Sequence, residues 1–156
     1  MDWIKIIHQT ICGAIAAAGF GVLFNISFRL LPWCAVSGAI ALAVRTVCLN
    51  AGWSLEAASF AAALAVGFAI QMLQSRAGIS QTALDVAGCI PMVPGSFAAK
   101  GILGLFSLTS SQVTGADQML ITAVQYTLRV TFTIGAIGTG LAIPNLLLRV
   151  RLSKEN

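Results

Sequence analysis

The chain has 156 residues, 58% of them hydrophobic and only 9% charged, with a mean hydropathy of +0.90. Soluble domains carry about 25% charged residues, so this composition excludes a water-soluble globule and points to an all-α integral membrane protein. The net charge of +4 comes from scattered basic residues, which excludes a nucleic-acid surface, and the apolar runs are continuous rather than alternating, which excludes a transmembrane β-barrel.

Five apolar segments follow in order, at about 3–24, 33–49, 55–73, 83–108 and 118–148, within a single transmembrane domain over 1–156. The first contains Lys5 and small residues through Gly21. It is long enough to span and shows no convincing cleavage site, so a retained helix is expected rather than a signal peptide. A short loop, Asn25 to Pro32, contains Arg29. The second segment ends at Asn50-Ala51-Gly52, a turn signal. Ser54 is a candidate N-cap for the third, with Glu56 in the first turn. Arg76 and Gly78 are expected in the next loop.

The fourth segment is interrupted by Ile90-Pro91-Met92-Val93-Pro94-Gly95. Each proline lacks an N–H and clashes with the preceding turn. In lipid the freed carbonyls need partners from protein or a water-filled cavity. Two readings follow: a proline kink packed against neighbours, or a broken helix of the kind that builds transporter binding sites. A polar loop, 109–115, precedes the fifth segment. That segment exceeds the ~20 residues a span needs, so it tilts and protrudes, or breaks near Gly138, Gly140 or Pro144.

Five spans place the termini on opposite sides. Arg29, Arg76 and the tail residues Arg149, Arg151 and Lys154 then share one side. Glu56, Asp117, Asp2 and Lys5 share the other. Lysine and arginine concentrate on the cytoplasmic side, so the N-terminus is expected outside and the C-terminus in the cytoplasm. Four spans with a re-entrant second segment is the rival arrangement. Small residues at four-residue spacing (Ala14 and Ala18; Ala57, Ala61 and Ala65; Ala63 and Gly67; Ala136 and Gly140) would let helices approach closely.

Four charges fall within the spans: Arg45, Asp85, Lys100 and Arg129. Such residues usually face a bundle interior or an aqueous path. Arg45 lies about one turn from a span end, where snorkelling to the interface is open to it. Asp85 follows Thr82 by three residues, a capping-box spacing repeated at Thr114 and Asp117. It is otherwise a charge partner for Lys100 or Arg129, or a proton carrier. Lys100 and Arg129 are the candidate substrate-facing cations. Three positive charges against one negative favour an anion of about two charges, if they share a cavity. The half-helix after Gly95 would add N–H groups, and Ser96 a hydroxyl.

The cysteines Cys12, Cys34, Cys48 and Cys89 form no CxxC pair, and His8 is the only histidine. They read as small buried hydrophobes; no metal or other cofactor is expected. No GxSxG, HExxH or Walker A motif suggests an enzyme.

Gly19-Phe20-Gly21 with Phe24-Asn25, then Arg29-Leu30-Leu31-Pro32-Trp33-Cys34, then Ile90-Pro91-Met92-Val93-Pro94-Gly95 together resemble the threonine/serine exporter family, in its small-subunit, YjjB-like form. The resemblance covers about Gly13 to Arg149. It implies a bacterial inner-membrane exporter subunit with five spans, and a separate, larger YjjP-like membrane subunit as partner. It also implies a small carboxylate substrate: succinate in two-protein members, threonine and serine in fused ones. Pro91, Pro94 and Gly95 transfer as motif positions, with the broken-helix site as their implied role. The rival readings are a non-transporting accessory subunit and a homo-oligomeric carrier or channel in the bilayer.

Overall fold

The computed structural model describes residues 3–77, 81–108 and 116–154, all in helices, turns and short connections with no strand among them. The elements are α1 (Trp3–Leu23), α2 (Leu31–Asn50), α3 (Leu55–Ala77), α4 (Gln81–Cys89), a single 3-10 turn (Ile90–Met92), α5 (Gly95–Ser107) and α6 (Ala116–Lys154). Four stretches are long and apolar enough to cross a membrane: Trp3–Leu23, Leu31–Asn50, Leu55–Met72 and Asp117–Leu147. The pair Leu84–Met92 and Gly95–Ser107 passes the same test as one broken span, giving up to five.

Local chemistry explains the joints. Asn25 takes a left-handed φ of 54°. The Ile26 N–H reaches back to the Gly21 carbonyl at 3.0 Å, closing α1 with a Schellman-type bond. Gly52, at φ 86°, closes α2 the same way, with the Trp53 N–H on the Cys48 carbonyl at 3.1 Å. Pro32 lies in the first turn of α2, where its missing N–H costs nothing. Ser54 caps α3 as expected, its Oγ accepting from the Ala57 N–H at 3.2 Å. α3 runs to Ala77, taking Arg76 into its last turn rather than into a loop. Gly78 and the loop 109–115 lie outside the described residues.

The chain divides into two compact units. The first unites α1–α4, the 3-10 turn and the part of α6 from Ala136 onward. Its helices meet through small residues. A Cβ at Gly13 would stand 2.6 Å from the Gly38 carbonyl oxygen, so α1 and α2 touch backbone to backbone. The α1 stripe is Gly13, Ala17 and Gly21; Ala14 and Ala18 sit half-buried beside it. In α3, Ala58, Ala62 and Val66 are buried, whereas Ala57 is exposed and Ala61 and Ala65 are half-buried. Alanine-rich helices offer several small stripes, and the partner helix decides which is used.

Ala63 and Gly67 do form a contact stripe. A Cβ at Gly140 of α6 would stand 2.8 Å from the Ala63 Cβ, and one at Gly67 2.8 Å from the Pro144 ring. Gln71 Nε2 donates to the Pro144 carbonyl at 2.8 Å. These contacts seat Pro144 within α6, which remains one helix of 39 residues. At 1.5 Å per residue it is about 58 Å long, beyond the ~30 Å hydrocarbon core. α4 lies in the same core, with Leu84, Ala87 and Cys89 clustered with residues of α2 and α3 and Gly88 against the Ser37 side chain.

The second unit runs from Val93 to Gly135. In it α5 packs on the first half of α6 through Gly101 and Gly104. Their Cβ atoms would stand 2.9 Å from Thr127 Oγ1 and 2.8 Å from the Ala123 Cβ. The burial pattern is inside-out. Small residues line the contacts, while Ile4, Ile7, Ile11 and Ile15 along one face of α1 are all more than half exposed, as lipid-facing residues are.

Two outcomes test these contacts. Asn25→Gly should unfold in detergent at nearly the wild-type temperature, whereas Asn25→Val should lose about 1–2 kcal/mol, the cost of a left-handed residue with a bulky Cβ. Gly140→Leu should separate α3 from α6 and abolish a monodisperse peak on size-exclusion chromatography.

Candidate functional site

The break in the fourth segment sets the geometry. α4 ends at Cys89, the 3-10 turn holds Pro91, and helical structure resumes at Gly95. Pro94 precedes α5 at φ −80° and ψ 68°, outside the helical range. Met92 is fully buried, so once the chain leaves helical geometry its carbonyl needs a donor that water cannot supply. Arg45 of α2 supplies it: Nη1 donates to the Met92 carbonyl at 2.7 Å. A charged donor at this length makes one of the stronger hydrogen bonds available to a protein. Arg45 therefore does not snorkel; it turns inward and fastens the break. Its Nε is buried and has no partner among the described residues.

Of the readings open to Asp85, the capping box does not hold. α4 begins at Gln81, so Thr82 lies inside the helix and cannot be its cap. Asp85 falls in the second turn, only 3% exposed. The Asn145 side chain of α6 is within hydrogen-bonding reach of the carboxylate, while Oδ1 has no partner among the described residues. The spacing at Asp117 stands untested in the same sense, because Thr114 lies outside the described residues. Arg45, Asp85 and Pro91 belong to the first unit, and Pro94, Gly95, Ser96, Lys100 and Arg129 to the second.

In the second unit the two cations are organised by aromatic rings. Phe97 of α5 and Tyr126 of α6 stack with centroids 5.6 Å apart and planes inclined by 25°. Lys100 Nζ lies 5.8 Å from the Tyr126 centroid, and Arg129 Cζ lies 5.5 Å from that of Phe97. Each cation thus sits on the ring of the opposite helix. Cation–π contacts hold a charge in place without cancelling it, because the ring is formally neutral. The structure brings Lys100 and Arg129 onto one aromatic pair. Both side chains are exposed, as are Gly95 and Ser96; Pro94 is buried and Pro91 half-buried.

The α5 N-terminus is partly engaged with its own backbone. The Gly95 N–H donates to the Val93 carbonyl at 2.9 Å, and the Phe97 N–H to that of Pro94 at 3.1 Å. Phe97 and Tyr126 were not singled out from the sequence. The signal was present: Lys100 and Arg129 each follow an aromatic by three residues, Phe97 and Tyr126, which places ring and charge on one helix face.

Arg45→Gln should lower stability by about 1.5–3 kcal/mol, the range for a hydrogen bond to a charged group, read as denaturant unfolding in mild detergent. Arg45→Lys should recover part of that loss, since an ammonium can donate to the same carbonyl.

No solved structure matches the chain. The family model described as Threonine/Serine exporter, ThrE, matches residues 9–147, a stretch that includes the break, Arg45, Asp85 and both aromatic-bound cations. The chain is accordingly a multi-pass membrane protein that belongs to the threonine/serine exporter (ThrE) family of transporters.

Proposed function

We propose that the chain is one subunit of a two-component secondary exporter of small carboxylates, with succinate-like dicarboxylates ahead of threonine or serine. The observation that carries this reading is the pair of cations, Lys100 and Arg129, held on the Phe97–Tyr126 rings. Two positive charges on neighbouring helices suit two carboxylates of one small molecule. Pro94, Gly95 and Ser96 begin the same helix as Lys100, and the Ser96 hydroxyl adds a hydrogen-bonding group. Threonine or serine is the second reading, favoured by the family's description. A single carboxylate would use the same cations and leave one charge unbalanced.

Export would run by alternating access. Asp85 is the embedded carboxylate available to couple transport to a proton gradient. The partner in this reading is the larger YjjP-like subunit. The membrane is the bacterial inner membrane, with the N-terminus outside and the C-terminus in the cytoplasm, which the distribution of loop charges supports. Exposed Ile102, Leu103 and Phe106 on α5 give apolar surface to lipid or to that subunit.

Efflux of labelled succinate and labelled threonine from proteoliposomes tests this directly, with the chain alone and with its larger partner. Succinate efflux is expected only when both proteins are present. Lys100→Gln and Arg129→Gln should each reduce it at least about tenfold, equivalent to about 1.4 kcal/mol of lost charge stabilisation. Efflux from this chain alone would contradict the partner requirement. Threonine efflux in place of succinate would contradict the charge-balance argument.

A further inference from the structure

A second group of polar residues lies in the first unit, distant in sequence from the aromatic pair. A cavity of about 280 Å³ is lined by Lys5 and Gln9 of α1 and by Arg45, Thr46 and Asn50 of α2, with two α2 leucines completing the wall. Lys5 is in the first turn of α1 and Asn50 is the last residue of α2. The cavity therefore extends toward the end of the α1–α2 pair where α1 begins.

We propose that this cavity binds a small soluble carboxylate between Lys5 and Arg45. Three observations point to an anion. Among the described residues the lining holds two cations and no acidic residue. Gln9 and Asn50 contribute amide donors to the same wall. Lys5 stands at a helix N-terminus, where the backbone dipole disfavours a cation and welcomes an anion. The volume lies just below the roughly 300–1,000 Å³ of typical ligand pockets, which suits a solute of a few heavy atoms. Thr46 contributes little as a donor, because its Oγ1 already donates to the Leu42 carbonyl at 2.6 Å.

The assignment has a mechanical consequence. Arg45 both walls the cavity and fastens the broken helix, so a carboxylate bound there acts on the group that holds the break. In its choice of ligand this inference rests on the small-carboxylate reading above. With the N-terminus outside, as proposed, the cavity would stand on the release side of the membrane.

The test reads Lys5 itself. The full chain in nanodiscs of zwitterionic lipid is treated with an amine-acylating reagent, and the rates at Lys5 and Lys100 are followed by peptide mass spectrometry. Succinate at twice its dissociation constant fills about two thirds of the sites, so Lys5 acylation should slow about threefold. Succinamide, its neutral analogue, should leave the rate unchanged. Asn50→Leu, at an exposed position, should weaken the protection without altering Lys100 labelling in the absence of ligand.

A Lys5 rate indifferent to succinate, or equally slowed by succinamide, would overturn the site. So would protection of Lys5 by anionic lipid that succinate fails to displace, since that would assign the cavity to a headgroup. Protection of Lys100 without Lys5 would overturn this inference and leave the proposed export site standing. Protection of Lys5 without Lys100 would support this inference.

Discussion

The hydrogen bond from Arg45 to the Met92 carbonyl is the constraint on which the first unit depends. A helix broken inside a bilayer exposes backbone oxygens that lipid cannot satisfy. Pro91 and Pro94 make the break unavoidable, and burial of Met92 removes water as a remedy. An arginine is well matched to the task. Its charge strengthens the bond, and its several N–H groups allow it to hold one carbonyl while retaining donors for another acceptor. The cost of burying the guanidinium is offset by the carbonyl it serves. The apparent misfit of an arginine in a span and the apparent misfit of two prolines are one arrangement.

The second unit solves a different problem, that of placing two cations on neighbouring helices within apolar surroundings. The Phe97–Tyr126 stack gives each charge a ring to rest on, contributed by the opposite helix. Close approach of α5 and α6 makes this crossed geometry feasible, and Gly101 and Gly104 permit that approach. In the proposed export reading, such a pair of cations suits a carboxylate substrate.

Much of the fold was legible in the sequence because hydropathy in a membrane protein is a strong constraint. The helices, the Ser54 cap and the break before Gly95 could all be read from it. Register was not legible. Ala14 and Ala18 are as small as Ala17, and only the position of Gly38 on the next helix selects the buried stripe. Arg45 was misread for a similar reason. Nearness to a span end suggests snorkelling, but the carbonyl it serves lies 47 residues further along the chain. Thr82 and Asp85 have the spacing of a capping box, yet α4 starts one residue earlier, at Gln81, and Asp85 turns into the core. The two cations were found by their cost in lipid. Their aromatic supports were missed because apolar rings are unremarkable in an apolar span.

The central claim, that Arg45 holds the carbonyl at the break, is tested most directly by isotope-edited infrared spectroscopy. Protein labelled with 13C at the methionine carbonyls would be compared with the Met92→Leu variant to isolate the Met92 band, and the measurement repeated in Arg45→Gln. The account predicts that the Met92 band moves to higher wavenumber when the arginine is removed, as a carbonyl does on losing a strong donor. A Met92 band at the same position in both proteins would contradict it.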